Sequence, residues 1–316
     1  MKNIKLSVKN LKVYFRLTPD KCVHAVDDVS FHVFEGETLG LVGESGCGKT
    51  TIGRSLLRLV EADEGEVIFS DVDVLKLSNA EMLRVRKEMQ IIFQDPFSSL
   101  DPRKNVEGLI AEPLRIHKYG SRKSIKNRVL ELLVKVGLTE EIRSKYPHEL
   151  DGGCCQRIGI ARALALNPSF IICDEPVSAL DVSSQAQIIL LLQQLNKEFN
   201  LTSLFISHDL SVVRRLSDRI LVMYLGKCVE SADSDELFRN PLHPYSRALI
   251  SAIPSLKVEG RRERIILKGE IPTPVNPGPG CRFYERCFER EPVCVKESPK
   301  FTDAKTGHFV ACHLHN

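Results

Sequence analysis

Residues 43–50, GESGCGKT, decide the fold because they match the phosphate-binding pattern G-x-x-x-x-G-K-[ST] in its required context. The apolar run at residues 38–42 predicts a buried strand before this loop, and residues 51–60 have the spacing of a helix after it. The glycines let backbone N–H groups converge on a phosphate, while Lys49 supplies positive charge and the Thr50 hydroxyl can ligate Mg²⁺. The sequence therefore predicts a nucleotide site made by consecutive residues: Gly43, Glu44, Ser45, Gly46, Cys47, Gly48, Lys49, Thr50 and Thr51.

A second part of the site is expected at the end of another buried strand. Residues 170–173, FIIC, are followed directly by Asp174 and Glu175. At the carboxyl end of a parallel strand, Asp174 can hold Mg²⁺ through water, and Glu175 can orient or deprotonate the attacking water. An isolated Asp-Glu pair is more often a solvated turn, but the phosphate-binding loop upstream favours the catalytic interpretation.

The composition is that of a globular protein with a substantial core, since 43% of the 316 residues are apolar and 27% are charged. A net charge of +3 gives no strong field toward nucleic acid, so no nucleic-acid partner is expected. No apolar run approaches the roughly 18 to 20 residues of a membrane span, and the N-terminus lacks the apolar core of a signal peptide. We therefore expect a cytosolic chain whose ten cysteines are thiols, metal ligands or redox groups.

The residue pattern changes from one part of the chain to the next. The apolar runs 170–173 and 204–206 flank an amphipathic helix at 183–199, which is the pattern of parallel strands joined by a crossover helix. Residues 271–280 are rich in Pro and Gly and predict a linker or an irregular wrap. We predict an α/β fold with these parts: a P-loop core of mixed or parallel sheet with flanking helices over residues 1–252, a helical subdomain at about 96–165, and an irregular Cys-containing extension at 253–316.

Gln94 after the apolar run 89–93, residues 178–181 (SALD), and His208 after another strand complete an ordered set of motifs. With this set the chain resembles the ATP-binding subunit of an ABC transporter, a P-loop ATPase. The resemblance implies that Gln94 senses Mg²⁺ and water and couples to the membrane subunits. It also implies that Asp181 contacts the opposite subunit and that His208 touches the γ-phosphate.

The same resemblance assigns the remaining roles in the site, whose ligands are ATP and Mg²⁺. The family stacks adenine on an aromatic residue early in the chain, which Tyr14 is expected to match, with Phe15 as the competitor. The expected catalytic residues are Glu175, His208 and Gln94. The expected Mg²⁺ ligands are Thr50, Gln94 and Asp174.

One family motif is altered. Where the family usually has Leu-Ser-Gly-Gly-Gln at the start of a helix, this chain has residues 150–154, LDGGC. In the family this signature contacts the γ-phosphate of ATP on the other subunit, so a carboxylate that faces like charge replaces a hydroxyl donor. Asp also caps a helix about as well as Ser does, which explains folding but not ATP binding. The resemblance places these residues in the nucleotide site of a dimer: Leu150, Asp151, Gly152, Gly153 and Asp181.

The family dimer is head-to-tail, which separates the altered motif from the intact ones. The signature of this chain completes the site of its partner, whereas Lys49, Asp174, Glu175 and His208 are completed by the partner's signature. We hypothesise a heterodimer in which the site that carries this chain's phosphate-binding loop hydrolyses ATP and the other site is impaired.

Residues 240–249 (NPLHPYSRAL), 280–287 (GCRFYERC) and 94–102 (QDPFSSLDP) narrow the resemblance to the oligopeptide and dipeptide importer branch. It implies an ATPase that energises peptide import and lies peripherally on the cytoplasmic face of the cell membrane. The implied partners are two transmembrane permease subunits, a second ATP-binding subunit and an extracytoplasmic peptide-binding protein. A dipeptide, a longer peptide and a nickel complex stay open as substrates. So do two rival functions, a soluble ABC ATPase of DNA repair or translation and a weakly hydrolysing regulatory subunit.

Four cysteines close the sequence with the spacing C-x5-C-x6-C-x17-C: Cys281, Cys287, Cys294 and Cys312. Four thiolates suit a [4Fe–4S] cluster or tetrahedral zinc, although the gaps are wider than those of common zinc knuckles. The branch resemblance implies an iron–sulfur cluster, and zinc and simple reduced thiols stay open. The nearby tail histidines are expected to be solvated rather than ligating: His308, His313 and His315.

Overall fold

The computed structural model of the protein describes residues 3–253 and 263–315. The chain divides into two compact units, of which residues 1–75 with 206–316 form the first and residues 76–205 form the second. The boundary that the sequence places between residues 252 and 253 stays a prediction.

The first unit opens with β1 (Ile4–Thr18), β2 (Lys21–Phe34), β3 (Thr38–Val42), α1 (Lys49–Leu56), β4 (Glu64–Phe69) and β5 (Val72–Asp73). A 3₁₀ helix follows at Val74–Lys76. Strand β1 pairs antiparallel with β2 and β4, and β4 pairs antiparallel with β5. The hairpin of β1 and β2 carries the first aromatic residues of the chain, Tyr14 and Phe15.

The second unit contains α2 (Asn79–Glu88), β6 (Met89–Ile92), α3 (Val106–Ile116), α4 (Arg122–Lys135), α5 (Gly152–Leu164), β7 (Phe170–Asp174) and α6 (Val182–Phe199). Further 3₁₀ helices lie at Glu140–Ser144 and Pro147–Glu149. Strands β6 and β7 run parallel. The division between the units falls within β8 (Thr202–Ser207).

The first unit continues with α7 (Leu210–Leu216), β9 (Arg219–Tyr224), β10 (Lys227–Asp233), α8 (Ser234–Arg239), α9 (Pro244–Ser251), a 3₁₀ helix (Tyr284–Arg286), α10 (Val293–Lys296), β11 (Thr302–Lys305) and β12 (His308–Val310). Strand β9 lies parallel to β3 and antiparallel to β10. Strand β12 pairs antiparallel with β10 and β11, so the end of the chain extends this mixed sheet.

The expected α/β pattern is confirmed at the elements that matter for the site. Strands β3 and β7 are buried at every residue, as their short apolar runs predict. The helix predicted over residues 51–60 ends early, because Arg58 takes a left-handed φ of 49° that a helix does not accept. The helix predicted at residues 183–199 is found, and Asn200 closes it in the left-handed conformation.

The Pro-rich stretch at residues 271–280 is an ordered wrap rather than a loose linker. Pro274 accepts a hydrogen bond from the His24 amide at 2.8 Å, and the Asn276 amide donates to the Cys22 carbonyl at 2.9 Å. Val275 forms a bridge with Val23 between these two bonds. Backbone pairing therefore ties this part of the extension to strand β2.

Side chains anchor the extension as well. The ring of Phe283 packs edge-on against Tyr224 and lies 5.4 Å from the ring of Tyr245, and all of these rings are buried. His308 Nε2 lies 2.7 Å from a carboxylate oxygen of Glu230, and both side chains are buried. The expectation that His308 is solvated is wrong, because strand β12 pairs with β10 and so brings His308 against the buried Glu230.

Among the residues that the structure describes, no helix combines the length and the apolar character that crossing a membrane requires.

Candidate nucleotide site

The phosphate-binding loop joins β3 to α1 and contains glycines in backbone conformations that other residues rarely adopt. Gly48 is the N-cap of α1 and has a left-handed φ of +105°. A Cβ placed on it would lie 2.0 Å from the carbonyl oxygen of Ala25, and one on Gly43 would lie 2.2 Å from the carbonyl oxygen of Met223. The glycines are therefore needed both for the backbone conformation and for close packing of the loop on its neighbours.

Lys49 folds back over the loop. Its Nζ donates to the carbonyl oxygens of Gly43 at 2.8 Å and Glu44 at 3.0 Å, and only 4% of the residue is exposed. Cys47 Sγ lies 3.8 Å from the same Nζ, and burial raises the pKa of the Cys47 thiol. Ser45 and Gly46 face solvent, and the Thr51 carbonyl accepts from Ser55 within α1. This brings together the predicted loop residues and leaves the lysine charge beside the place a phosphate would take.

Glu44 makes contacts that sequence reasoning missed. Its backbone amide donates to Tyr245 Oη at 2.9 Å, and its carboxylate forms a bidentate pair with Arg286 at 2.6 and 3.0 Å. Both partners lie in the stretches that carried the resemblance to the importer branch, residues 240–249 and 280–287. Those motifs were the available signal, but nothing in them shows that they reach the phosphate-binding loop.

The two aromatic candidates for adenine differ in exposure. Tyr14 packs its ring against His24 at 4.2 Å, and its hydroxyl donates to Asp27 at 2.8 Å. Burial raises the Tyr14 pKa well above its usual value. Phe15 is 41% exposed and therefore has the more accessible ring.

His208 directly follows strand β8 and is exposed. The neighbouring Asp209 caps α7 by accepting from the amides of Ser211 and Val212, so a short helix fixes the backbone just beyond this histidine.

In the second unit, the predicted carboxylates stand at the end of β7. Asp174 is 1% exposed, and Glu175 has a left-handed φ of 46°, a strained conformation for a residue with a side chain. Gln94 Nε2 donates to Glu175 Oε2 at 3.2 Å. The structure therefore brings together the residue expected to activate water and the residue expected to sense it.

The altered signature begins α5. Asp151 is the N-cap residue and accepts from the Cys154 amide at 2.7 Å. A Cβ on Gly153 would lie 3.3 Å from Ser184 Oγ, and Leu150 is half-buried. Asp181 caps α6 in the same way, and the hydroxyl of Ser183 keeps the pKa of Asp181 low. Asp151 therefore caps α5, as expected from the sequence.

Comparison with known proteins decides the family. The chain is 51% identical to the oligopeptide transport ATP-binding protein AppF of Bacillus subtilis, covering 98% of this chain and 97% of that one. It is 48% identical to the oligopeptide transport ATP-binding protein OppF of Escherichia coli, covering 98% and 96% of the two chains. The chain belongs to the ABC transporter family. The family profile matches residues 26–178 of this ABC ATP-binding subunit, and a profile of the oligopeptide/dipeptide transporter C-terminal region matches residues 229–294.

The fold agrees with solved ABC cassettes. A dimeric structure of the cassette MJ0796, bound to ADP and phosphate after hydrolysis, superimposes with a TM-score of 0.66 and 30% identity. It covers 72% of this chain and 98% of the other. The prediction of an ABC-type P-loop ATPase fold is therefore confirmed.

The residues expected to hold Mg²⁺ each carry an oxygen donor. Thr50 offers a hydroxyl, Asp174 a buried carboxylate and Gln94 an amide oxygen, and hard oxygen ligands are those that Mg²⁺ prefers. Thr50 lies in the first unit, whereas Asp174 and Gln94 lie in the second.

The four cysteines of the extension lie within electrostatic range of one another. Burial raises the pKa of Cys281 and of Cys312 to about 11, and the neighbouring thiols add to this shift. The backbone amides of Phe283 and Leu314 donate to these two sulfurs, and that of Glu289 donates to Cys287. Within residues 3–253 and 263–315, however, no group of three or more His, Cys, Asp or Glu side chains is arranged to hold a metal ion.

Substitution of Gly48 tests the phosphate-binding loop. We expect Gly48→Ala to abolish nucleotide binding, because its Cβ would overlap the Ala25 carbonyl and the residue would keep a left-handed φ. Titration with a fluorescent ATP analogue measures the loss. Gly159→Ala in α5 is the matched control, since its Cβ meets no described atom within 4 Å and Ala favours a helix. Equal affinity of Gly48→Ala and the unchanged protein would contradict the assignment.

Proposed function

We propose that this ABC subunit hydrolyses ATP to energise the import of dipeptides or longer peptides across the cytoplasmic membrane. The observation that carries ATP hydrolysis is the pairing of Gln94 with Glu175 at the end of a buried strand. Peptide import is supported by relatives that are oligopeptide transport ATP-binding proteins and by the oligopeptide/dipeptide transporter region at residues 229–294.

The chemistry follows from the residues at the two units. ATP binding replaces the contacts of Lys49 with the loop carbonyls by contacts with the β- and γ-phosphates. Mg²⁺ would neutralise charge on those phosphates when bound, and Thr50 and Asp174 each carry an oxygen donor of the kind it prefers. Glu175 then accepts the proton of the attacking water, and Gln94, whose Nε2 lies 3.2 Å from Glu175 Oε2, orients that water.

The proposed assembly contains two transmembrane permease subunits, a second ATP-binding subunit and an extracytoplasmic peptide-binding protein. The subunit would lie peripherally on the cytoplasmic face of the cell membrane. His208 and Asp181 are proposed to act across the closed dimer, at the γ-phosphate and at the opposite subunit respectively. Closure on ATP and reopening after hydrolysis would drive the membrane subunits.

Purification from native membranes tests this proposal together with Glu175→Gln. We expect a tagged chain to recover two polytopic proteins and a second ATP-binding chain, with ATP turnover. Glu175→Gln should lower turnover by about 10²-fold or more while ATP stays bound, because general-base catalysis is lost and binding contacts are kept. Glu198→Gln, near the C-terminal end of α6, is the matched control, because it removes a carboxylate that pairs with Lys135 outside the site. Recovery only from the soluble fraction, with nucleic acid or ribosomes, would overturn the transport assignment.

The altered signature gives the proposed dimer an asymmetry. Asp151 caps α5 as well as Ser would, so its cost falls on the γ-phosphate of the partner's ATP, where it adds like charge. We propose that the partner's site is the impaired one and that this chain's own site hydrolyses ATP.

Restoring the usual residue tests the asymmetry. Asp151→Ser keeps the cap and removes the charge, so we expect ATP turnover of the assembled complex to rise by roughly twofold as a second site becomes active. The rate of phosphate release by the purified complex measures this. Ser121→Asp, which exchanges the same two residue types at the cap of α4, controls for capping effects. An unchanged or lower rate would disprove the proposed impairment.

We propose that the four cysteines of the extension bind a metal centre, with a [4Fe–4S] cluster as the first choice and zinc as the second. Support comes from their four-thiol donor chemistry and from the proximity of the four sulfurs to one another in the extension.

Anaerobic purification followed by absorbance spectroscopy and metal analysis tests the centre. Iron and inorganic sulfide in equal amounts are expected, and both should be lost in Cys287→Ser but kept in Cys22→Ser, whose thiol lies on β2. Stoichiometric zinc without sulfide would replace the cluster by a zinc site. If neither iron nor zinc is found, the proposal is wrong and the four cysteines are reduced thiols.

A further inference from the structure

The phosphate-binding loop contains an acidic residue at its second position, and the extension neutralises it. The Glu44 carboxylate accepts hydrogen bonds from both terminal nitrogens of Arg286, at 2.6 and 3.0 Å. This fork geometry is the strong, oriented form of an arginine–carboxylate pair. The pair joins residues that are 242 positions apart in sequence.

Burial makes this pair different from a surface ion pair. The side chain of Arg286 is 8% exposed and that of Glu44 is 23% exposed, so solvent screens their charges only in part. Arg286 also lies over the ring of Tyr224, with 5.8 Å between the guanidinium and the ring centroid. The guanidinium is therefore held on two sides.

The remaining groups of Glu44 are engaged by the nucleotide loop and its support. Its carbonyl accepts from Lys49 Nζ, and its amide donates to Tyr245 Oη. With backbone and carboxylate both held, the negative charge of Glu44 points toward the guanidinium of Arg286 in the extension.

A triphosphate that binds this loop brings several negative charges close to Glu44. Left unpaired, the Glu44 carboxylate would repel those charges and compete for Lys49. We propose that Arg286 is a positioning residue of the nucleotide site, which neutralises and orients Glu44 and so raises the affinity of the phosphate-binding loop for ATP. This inference rests on the proposed ATP-binding function and assigns part of that function to the extension.

The segment that carries Arg286 is built to keep it in place. The Arg286 amide donates to the Phe283 carbonyl at 3.1 Å, and Phe283 is buried against Tyr224 and Tyr245. The Cys281 amide donates to the Cys294 carbonyl at 2.7 Å. The turn between the first two cysteines of the extension therefore sets the position of the guanidinium.

Nucleotide binding to the full-length chain tests the role of Arg286. Isothermal titration with the hydrolysis-resistant analogue AMP-PNP and Mg²⁺ should show that Arg286→Gln raises Kd about tenfold at low salt, the size expected for losing a charge-assisted pair. The loss should shrink at high ionic strength because salt screens the freed carboxylate. Arg286→Lys keeps the charge without the fork and should lose less.

The double variant Glu44→Gln with Arg286→Gln separates neutralisation from mere structural support. Removing the carboxylate removes the repulsion, so we expect the double variant to recover most of the affinity lost in Arg286→Gln. A Kd of the double variant as high as that of the single variant would overturn the proposal.

Arg247→Gln is the matched control. Arg247 makes a similar pair with Glu289 of the extension, at 2.7 Å, but has no contact with the phosphate-binding loop among those described. It should leave Kd unchanged, and thermal unfolding of each variant checks folding. Failure of the unchanged protein to bind AMP-PNP would overturn the proposed function itself. Binding that Arg286→Gln does not weaken would overturn only the role of Arg286.

Discussion

The close approach of the phosphate-binding loop to its neighbours is the constraint on which the first unit depends. Gly48 starts α1 while its backbone lies against Ala25 of β2, and Gly43 leaves β3 against Met223 of β9. Because a Cβ at either position would overlap a carbonyl oxygen, the loop can pack this closely on the hairpin and the sheet only with glycine at both positions. The Cys47 carbonyl adds to this by accepting from the Gly226 amide at 2.9 Å.

Local signals in the sequence predicted most of the fold. The apolar runs at β3 and β7 and the helical spacing of α6 are encoded by neighbouring residues, so pattern reading finds them. The end of α1 was misplaced, because a left-handed Arg58 leaves no mark in apolar periodicity. His308 was misjudged for a similar reason, since pairing with a buried Glu230 depends on strand β12 joining a distant strand.

The motifs of the candidate site could be predicted from the sequence, but the distant residues that hold those motifs in place could not. The loop, the strand-end carboxylates and Gln94 follow short patterns with a clear chemical reason. The contacts of Glu44 with Tyr245 and Arg286 join segments separated by about two hundred residues or more, and no local rule reports them. Exposure also favours Phe15 over Tyr14 as the accessible ring, because Tyr14 is already occupied by His24 and Asp27.

Glu44 and Arg286 are far apart along the chain, so they are synthesised at different times. A ribosome completes the phosphate-binding loop long before it makes the turn that carries Arg286, since 242 residues separate the two. During most of its synthesis the nascent chain therefore carries an acidic loop without its counter-charge. Full affinity for nucleotide would arrive only when the last part of the chain has emerged and docked, so a prematurely terminated subunit would compete poorly for cellular ATP.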